Sequence, residues 1–77
     1  MEIETSNKAL EAYEERMIKW FKYEHLPEKL QDVSKAFAEL AVTLFHRVSA
    51  GPERTAAFRK LLEAKDAAVR AKVIPGG

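Results

Sequence analysis

The residues WFKYEH at 20–25 put Trp20, Phe21, Tyr23 and His25 almost side by side, and they hold three of the chain's seven Phe, Trp and Tyr residues. Rings at that density serve either a core or a flat ligand. Trp20 or Phe21 can close the end of a core with Tyr23 stacked behind it, and the residues leave open whether Trp20 is core or ligand platform. Tyr23 and His25 sit in a turn, carry polar handles and flank Lys22. That mixture suits stacking on a nucleobase and bonding to its edge.

A second cluster lies further along, where Phe58, Leu61, Leu62 and Val69 recur at helical spacing and Lys65 falls in the middle of their stripe. A lysine there either snorkels to solvent along its stem or faces a cleft in which an anionic ligand supplies the missing charge. Arg54 and Lys72 lie close to the same stripe by the same count. Arg59, Lys60 and Arg70 alternate with Glu63 and Asp66 on the outer face and read as solvated surface. Tyr23 and His25 as base-contacting groups, with Arg54 and Lys65 as phosphate contacts, form the expected site.

Catalysis is hard to assemble from these residues. The chain has no Cys and only two His, His25 and His46, which stand 21 positions apart without an acidic or His partner at i+3 or i+4. Neither an activated nucleophile nor a metal-ligand pattern emerges, and the three glycines, Gly51, Gly76 and Gly77, make no phosphate loop. The sequence predicts a non-enzymatic protein with no cofactor and no metal.

The elements that position these clusters follow from the punctuation. Pro27, then Gly51 with Pro52, then Pro75 with Gly76 and Gly77 cut the chain into three helical segments. Leu10, Tyr13, Met17, Trp20 and Phe21 predict a first helix over about 7–21, capped by Ser6 or Asn7. The second helix is predicted over about 27–49, with Leu30, Val33, Phe37, Leu40, Ala41, Leu44 and Val48 as its core face. Ala38, Val42 and Phe45 make a second flank that either the first helix or a neighbouring subunit covers. Gly51 is expected to end that helix in the left-handed conformation, and Pro52 and Glu53 open the third, over about 52–72. Ala64, Ala67, Ala68 and Ala71 give that helix a small-residue face suited to close helix packing. The fold class is all-α: one small domain over 1–77, an antiparallel hairpin with an additional N-terminal helix.

With 77 residues and no cysteine, the chain buries only about 60% of its unfolded surface, so a homo-oligomer is expected. Residues 52–72 carry six basic against three acidic side chains and residues 1–28 four against seven, which favours contact between unlike ends of neighbouring subunits. A net charge of +1 disfavours a DNA or RNA polymer as partner. No apolar run suits a membrane span, and the acidic N-terminus does not read as a signal peptide. A cytoplasmic protein is expected.

The blocks WFKYEHLPEKL and PERTAAFRKLLEAKDAAVRA, with an apolar helix between them, resemble the helical-hairpin proteins of bacteriophages that inhibit CBASS and Thoeris defence, the cyclic-nucleotide sponges. The likeness covers about residues 18–72. It implies a cytoplasmic protein of an infected bacterium that captures cyclic di- or trinucleotides or cyclic ADP-ribose isomers. The signal is withheld from its effector and no reaction occurs. It further implies all-helical oligomers, often hexamers, with pockets at subunit boundaries that combine an aromatic platform with Lys and Arg on phosphates. By position Phe21, Tyr23 and His25 match the aromatic block, and Arg54, Thr55, Arg59 and Lys60 match the start of the second hairpin helix. The family's latter half of that helix carries an Asn and bulky aliphatics, where this chain has Lys65, Asp66, Ala67 and Ala68. The alternative is a small helical structural or interaction subunit with no small-molecule ligand.

Overall fold

Helical punctuation and apolar spacing account for most of the chain. The computed structural model describes residues 3–77, and every regular element among them is helical: α1 (Asn7–Glu11), a 3-10 helix (Arg16–Phe21), α2 (Glu28–Arg47) and α3 (Pro52–Val73). Pro27 stands at the N-cap of α2 and Pro52 opens α3, where a missing N–H costs nothing. Charge follows the helix dipoles, with Glu28 and Glu53 in the first turns and His46, Arg47, Arg70 and Lys72 in the last. No helix among the described residues is long and apolar enough to cross a membrane.

The expected helix over 7–21 is two elements. Ser6 caps α1 as foreseen, its Oγ accepting from the Ala9 N–H at 3.1 Å, but α1 stops at Glu11. Glu15 then adopts an extended backbone (φ −148°, ψ 109°), and its carboxylate accepts from the Met17 N–H at the head of the 3-10 helix. A side chain that caps a new helix start ends the old helix, and the apolar spacing of Leu10, Tyr13 and Met17 carries no trace of that switch. Gly51 is a second correction. Its φ of 160° is extended backbone, not the left-handed conformation.

The core unites Leu10, Ile18, Phe21, Tyr23, Ala38, Ala41, Val42 and Phe58. On α2 the buried line is Leu30, Ser34, Ala38, Ala41 and Val42, rotated from the expected stripe, while Leu40 is 47% exposed and Val48 42%. The cause is that α2 has two partners, the 3-10 helix on one side and α3 on the other. Small residues at the centre of its face admit both, and larger ones straddle them. The flank of Ala38, Val42 and Phe45 is therefore covered by the chain itself: Ala38 and Val42 are buried, and the Phe45 ring meets Tyr13 edge-on with centroids 4.9 Å apart.

α2 and α3 meet at both ends. Arg54 Nη1 donates to the Val48 carbonyl at 2.9 Å, and Lys72 lies 3.5 Å from the Asp32 carboxylate. The aromatic turn is pinned to the N-terminal segment by Asn7, whose Oδ1 accepts from the Tyr23 and Glu24 N–H groups at 3.1 and 3.2 Å. Gln31 closes it from α2 by donating to the Leu26 carbonyl at 2.9 Å.

Candidate functional site

In a 3-10 helix residues three apart lie in one row, and Arg16–Phe21 uses all three rows. Ile18 and Phe21 face inward and are fully buried. Met17 and Trp20 share the second row, with Trp20 at its outer end and 62% exposed. Lys19 and Lys22 share the third, and both pair with the Glu11 carboxylate, Lys19 at 3.8 Å. An α-helical pitch would keep Lys19 and Lys22 neighbours but offset them by about 60°, whereas the 3-10 pitch eclipses them. The 3-10 pitch sets an exposed indole beside two lysines.

α3 brings the third cation. Lys65 is 9% exposed, and its Nζ donates to the Trp20 carbonyl at 3.1 Å. Burial holds its ammonium below the ordinary 10.5, with Asp66 opposing the shift. Lys19, Trp20, Lys22, His25, Leu62, Lys65 and Asp66 together line a cleft of about 420 Å³. It offers an aromatic face, an imidazole, one exposed and one half-buried lysine, a poorly hydrated third lysine whose hydrogen-bond partner is a neutral carbonyl, and one carboxylate, Asp66. The chemistry of such a set suits a flat, anionic molecule. Among the described residues no group of three His, Asp or Glu side chains comes together as a metal would require.

Of the residues expected at the site, His25 and Lys65 meet in this cleft. The others do not. Phe21 is fully buried and faces Phe58 at 6.5 Å between centroids, so it is a core ring and not a platform. Tyr23 is buried too, its hydroxyl 2.7 Å from Thr5 Oγ1, and its edge borders a separate hollow with Glu4, Glu24 and Lys35. Arg54, 8% exposed, is an internal clamp and not a phosphate contact: Nη2 donates to Glu15 Oε1 at 3.0 Å, and Nη1 to the carbonyls of Val48 and, at 3.4 Å, Phe45. Its guanidinium also lies over the Phe45 and Phe58 rings at 5.0 and 5.7 Å. Thr55, half-buried, gives its N–H to the Gly51 carbonyl in the first turn of α3. Arg59 and Lys60 are exposed, away from the cleft lining.

Sequence reasoning passed over Lys19, placed Leu62 in the core stripe and Asp66 on the solvated outer face of the third helix, noted Lys22 only as a neighbour of Tyr23 and His25, and left Trp20 undecided; all five line the cleft. The signal that finds the lysines is the K-x-x-K frame around Trp20, a same-face spacing in either helix type that becomes an eclipsed row when the segment is read with a period of three. The chain matches no protein family, no curated protein and no solved structure in the comparisons made with each.

Proposed function

We propose that this chain is a non-enzymatic binding protein that sequesters cyclic nucleotide immune signals, cyclic di- or trinucleotides or cyclic ADP-ribose isomers, and so blunts bacterial anti-phage defence from the cytoplasm of the infected cell. The observation that carries the reading is the cleft of Trp20, His25, Lys19, Lys22 and Lys65. A base stacks on the indole, worth roughly 1–3 kcal/mol, His25 meets its edge, and the lysines take the phosphates. Lys65 contributes most per contact, because a cation partly withdrawn from water gains more from an anion than a solvated one does. A cleft of about 420 Å³ falls at the lower end of small-molecule sites. The α2–α3 pair acts as an antiparallel hairpin in a homo-oligomer, a hexamer by the family resemblance, whose neighbouring copy completes the enclosure.

A second reading, a helical interaction subunit without a small-molecule ligand, draws on the exposure of Leu40, Val48, Val73 and Ile74. Lys65 separates the two. In a purely structural subunit it would reach solvent or pair with a carboxylate such as Glu39. Its partly buried bond to the Trp20 carbonyl, at the wall of a cleft, supports the first reading.

The test is a thermal-shift panel of cyclic dinucleotides, cyclic trinucleotides and cyclic ADP-ribose isomers, followed by recovery of the ligand from heat-denatured protein. A ligand at a hundred times its Kd is expected to add about 2.7 kcal/mol, which for a domain this small moves the melting temperature by roughly ten degrees or more. The recovered ligand is expected to be chemically unaltered. No shift with any member of the panel overturns the reading, and a converted ligand overturns its non-enzymatic part.

A further inference from the structure

Two of the three cations in the cleft already have an anion. The Glu11 carboxylate, at the last residue of α1, reaches both Lys19 and Lys22, one through each oxygen. Lys65 differs. Among the described residues it makes no ion pair, only the bond to the Trp20 carbonyl. We propose that Glu11 is a resident counter-ion of the cleft, displaced from Lys19 and Lys22 by an incoming phosphate, and that it thereby sets the affinity and salt dependence of anionic ligands. This rests on the reading that the cleft takes an anionic ligand.

Geometry and charge both point to an exchange. The 3-10 pitch eclipses Lys19 and Lys22 in one row, and the Glu11 carboxylate pairs with both ammonium groups. The Glu11 side chain is about half exposed (47%), and those of Lys19 and Lys22 are 50% and 27% exposed. Ion pairs of this kind contribute little in water and break readily. The carboxylate also lies at the C-terminal end of α1, where a negative charge gains nothing from the helix. A phosphate arriving at Lys19 and Lys22 replaces one anion by another, so its net gain there is small. A second anionic group on the same ligand meets Lys65, whose ammonium makes no ion pair among the described residues and has only the Asp66 carboxylate nearby in the cleft. Glu11 therefore weakens every anion that uses the two lysines.

The experiment compares Glu11→Gln with Glu14→Gln, a neighbouring exposed acid that makes no ion pair among the described residues. Both variants remove one negative charge, so they share any long-range effect. Calorimetric titration uses two probes, cyclic di-AMP and inorganic pyrophosphate, at low and at physiological salt, with Glu11→Ala as a second variant and melting curves as the folding check. Glu11→Gln is expected to tighten both probes about two- to five-fold, the worth of an exposed pair, and to steepen the salt dependence. Glu14→Gln is expected to leave both within two-fold, roughly the smallest effect such a charge exerts. Unchanged or weakened binding in the Glu11 variants overturns the proposal, because Glu11 would then be a bystander or would align the lysines. An equal gain in Glu14→Gln overturns it as well. If pyrophosphate responds as expected while no cyclic nucleotide binds, Glu11 keeps this role and the nucleotide reading fails. If neither probe binds any variant, both fail.

Discussion

Lys65 combines burial, charge and a neutral partner, and its titration has a definite sign. Its folded-state pKa lies below the ordinary 10.5 because burial disfavours the ammonium, so on raising the pH the folded protein sheds this proton before the unfolded chain does. Between the lowered value and 10.5 the unfolded state binds more protons, and stability rises with pH across that window. Lys65→Met keeps the stem and removes the charge. Its stability at neutral pH is expected to stay within about 1 kcal/mol of wild type, since the lost bond to Trp20 is offset by relief from burying the ammonium. Ligand affinity is expected to fall about ten-fold, the loss of one charge-assisted contact. Wild type should then gain on the variant in urea titrations as the pH approaches 10.5. Normal binding by Lys65→Met, or a collapse of its melting temperature without ligand, would make the residue purely structural.

At the scale of elements, Glu15 and Arg54 join parts of the chain that the sequence keeps far apart. One carboxylate oxygen of Glu15 caps the 3-10 helix at the Met17 N–H, and the other receives Arg54 from α3. Arg54 also closes the end of α2 through the Val48 carbonyl. Arg54→Gln is expected to cost about 2–3 kcal/mol, because a largely buried pair loses one member and two carbonyls lose a charged donor. Melting on the order of ten degrees lower is the readout. Titration of the protein still folded should give wild-type affinity, and a selective loss of affinity would return Arg54 to the site. This clamp also explains what the sequence could reveal. The bounds of α2 and α3 were legible within two residues, because Pro27 and Pro52 open them and apolar spacing runs along their length. The first segment was not, since its break depends on Glu15 finding Arg54 39 positions later. The site was half legible for the same reason. Lys65 stood out as a cation in an apolar stripe and His25 as a polar ring in a turn, while the outward setting of Trp20 depends on the 3-10 pitch that the broken segment adopts.

For the whole molecule, the question is which surface holds copies together if the protein is the oligomer we propose. Ala38, Val42 and Phe45 are excluded, because the chain covers them with Tyr13 and the 3-10 helix. The exposed apolar edge of α2 remains. Leu40 and Val48 are exposed there, and Val33, Phe37 and Leu44 flank them half-buried at three- and four-residue steps, Phe37 and Leu44 packing in part on the core. An elongated molecule of 37 × 24 × 21 Å presents such an edge along its length, and burying it in a symmetric contact compensates for the small core of a short chain. Two substitutions separate interface from fold. Leu40→Lys places a charge on the open edge and is expected to keep full helicity while lowering the mass measured by sedimentation. Val42→Glu places a charge at a site 2% exposed and is expected to abolish the cooperative melt, since an unpaired carboxylate in a core of this size exceeds what the packing can tolerate. If Val42→Glu stayed folded and merely dissociated, the flank would be an interface after all. Sedimentation of wild type as an 8.7 kDa monomer at micromolar concentration would remove the oligomer altogether, and the cleft at Trp20 and Lys65 would then have to bind its ligand with one chain alone.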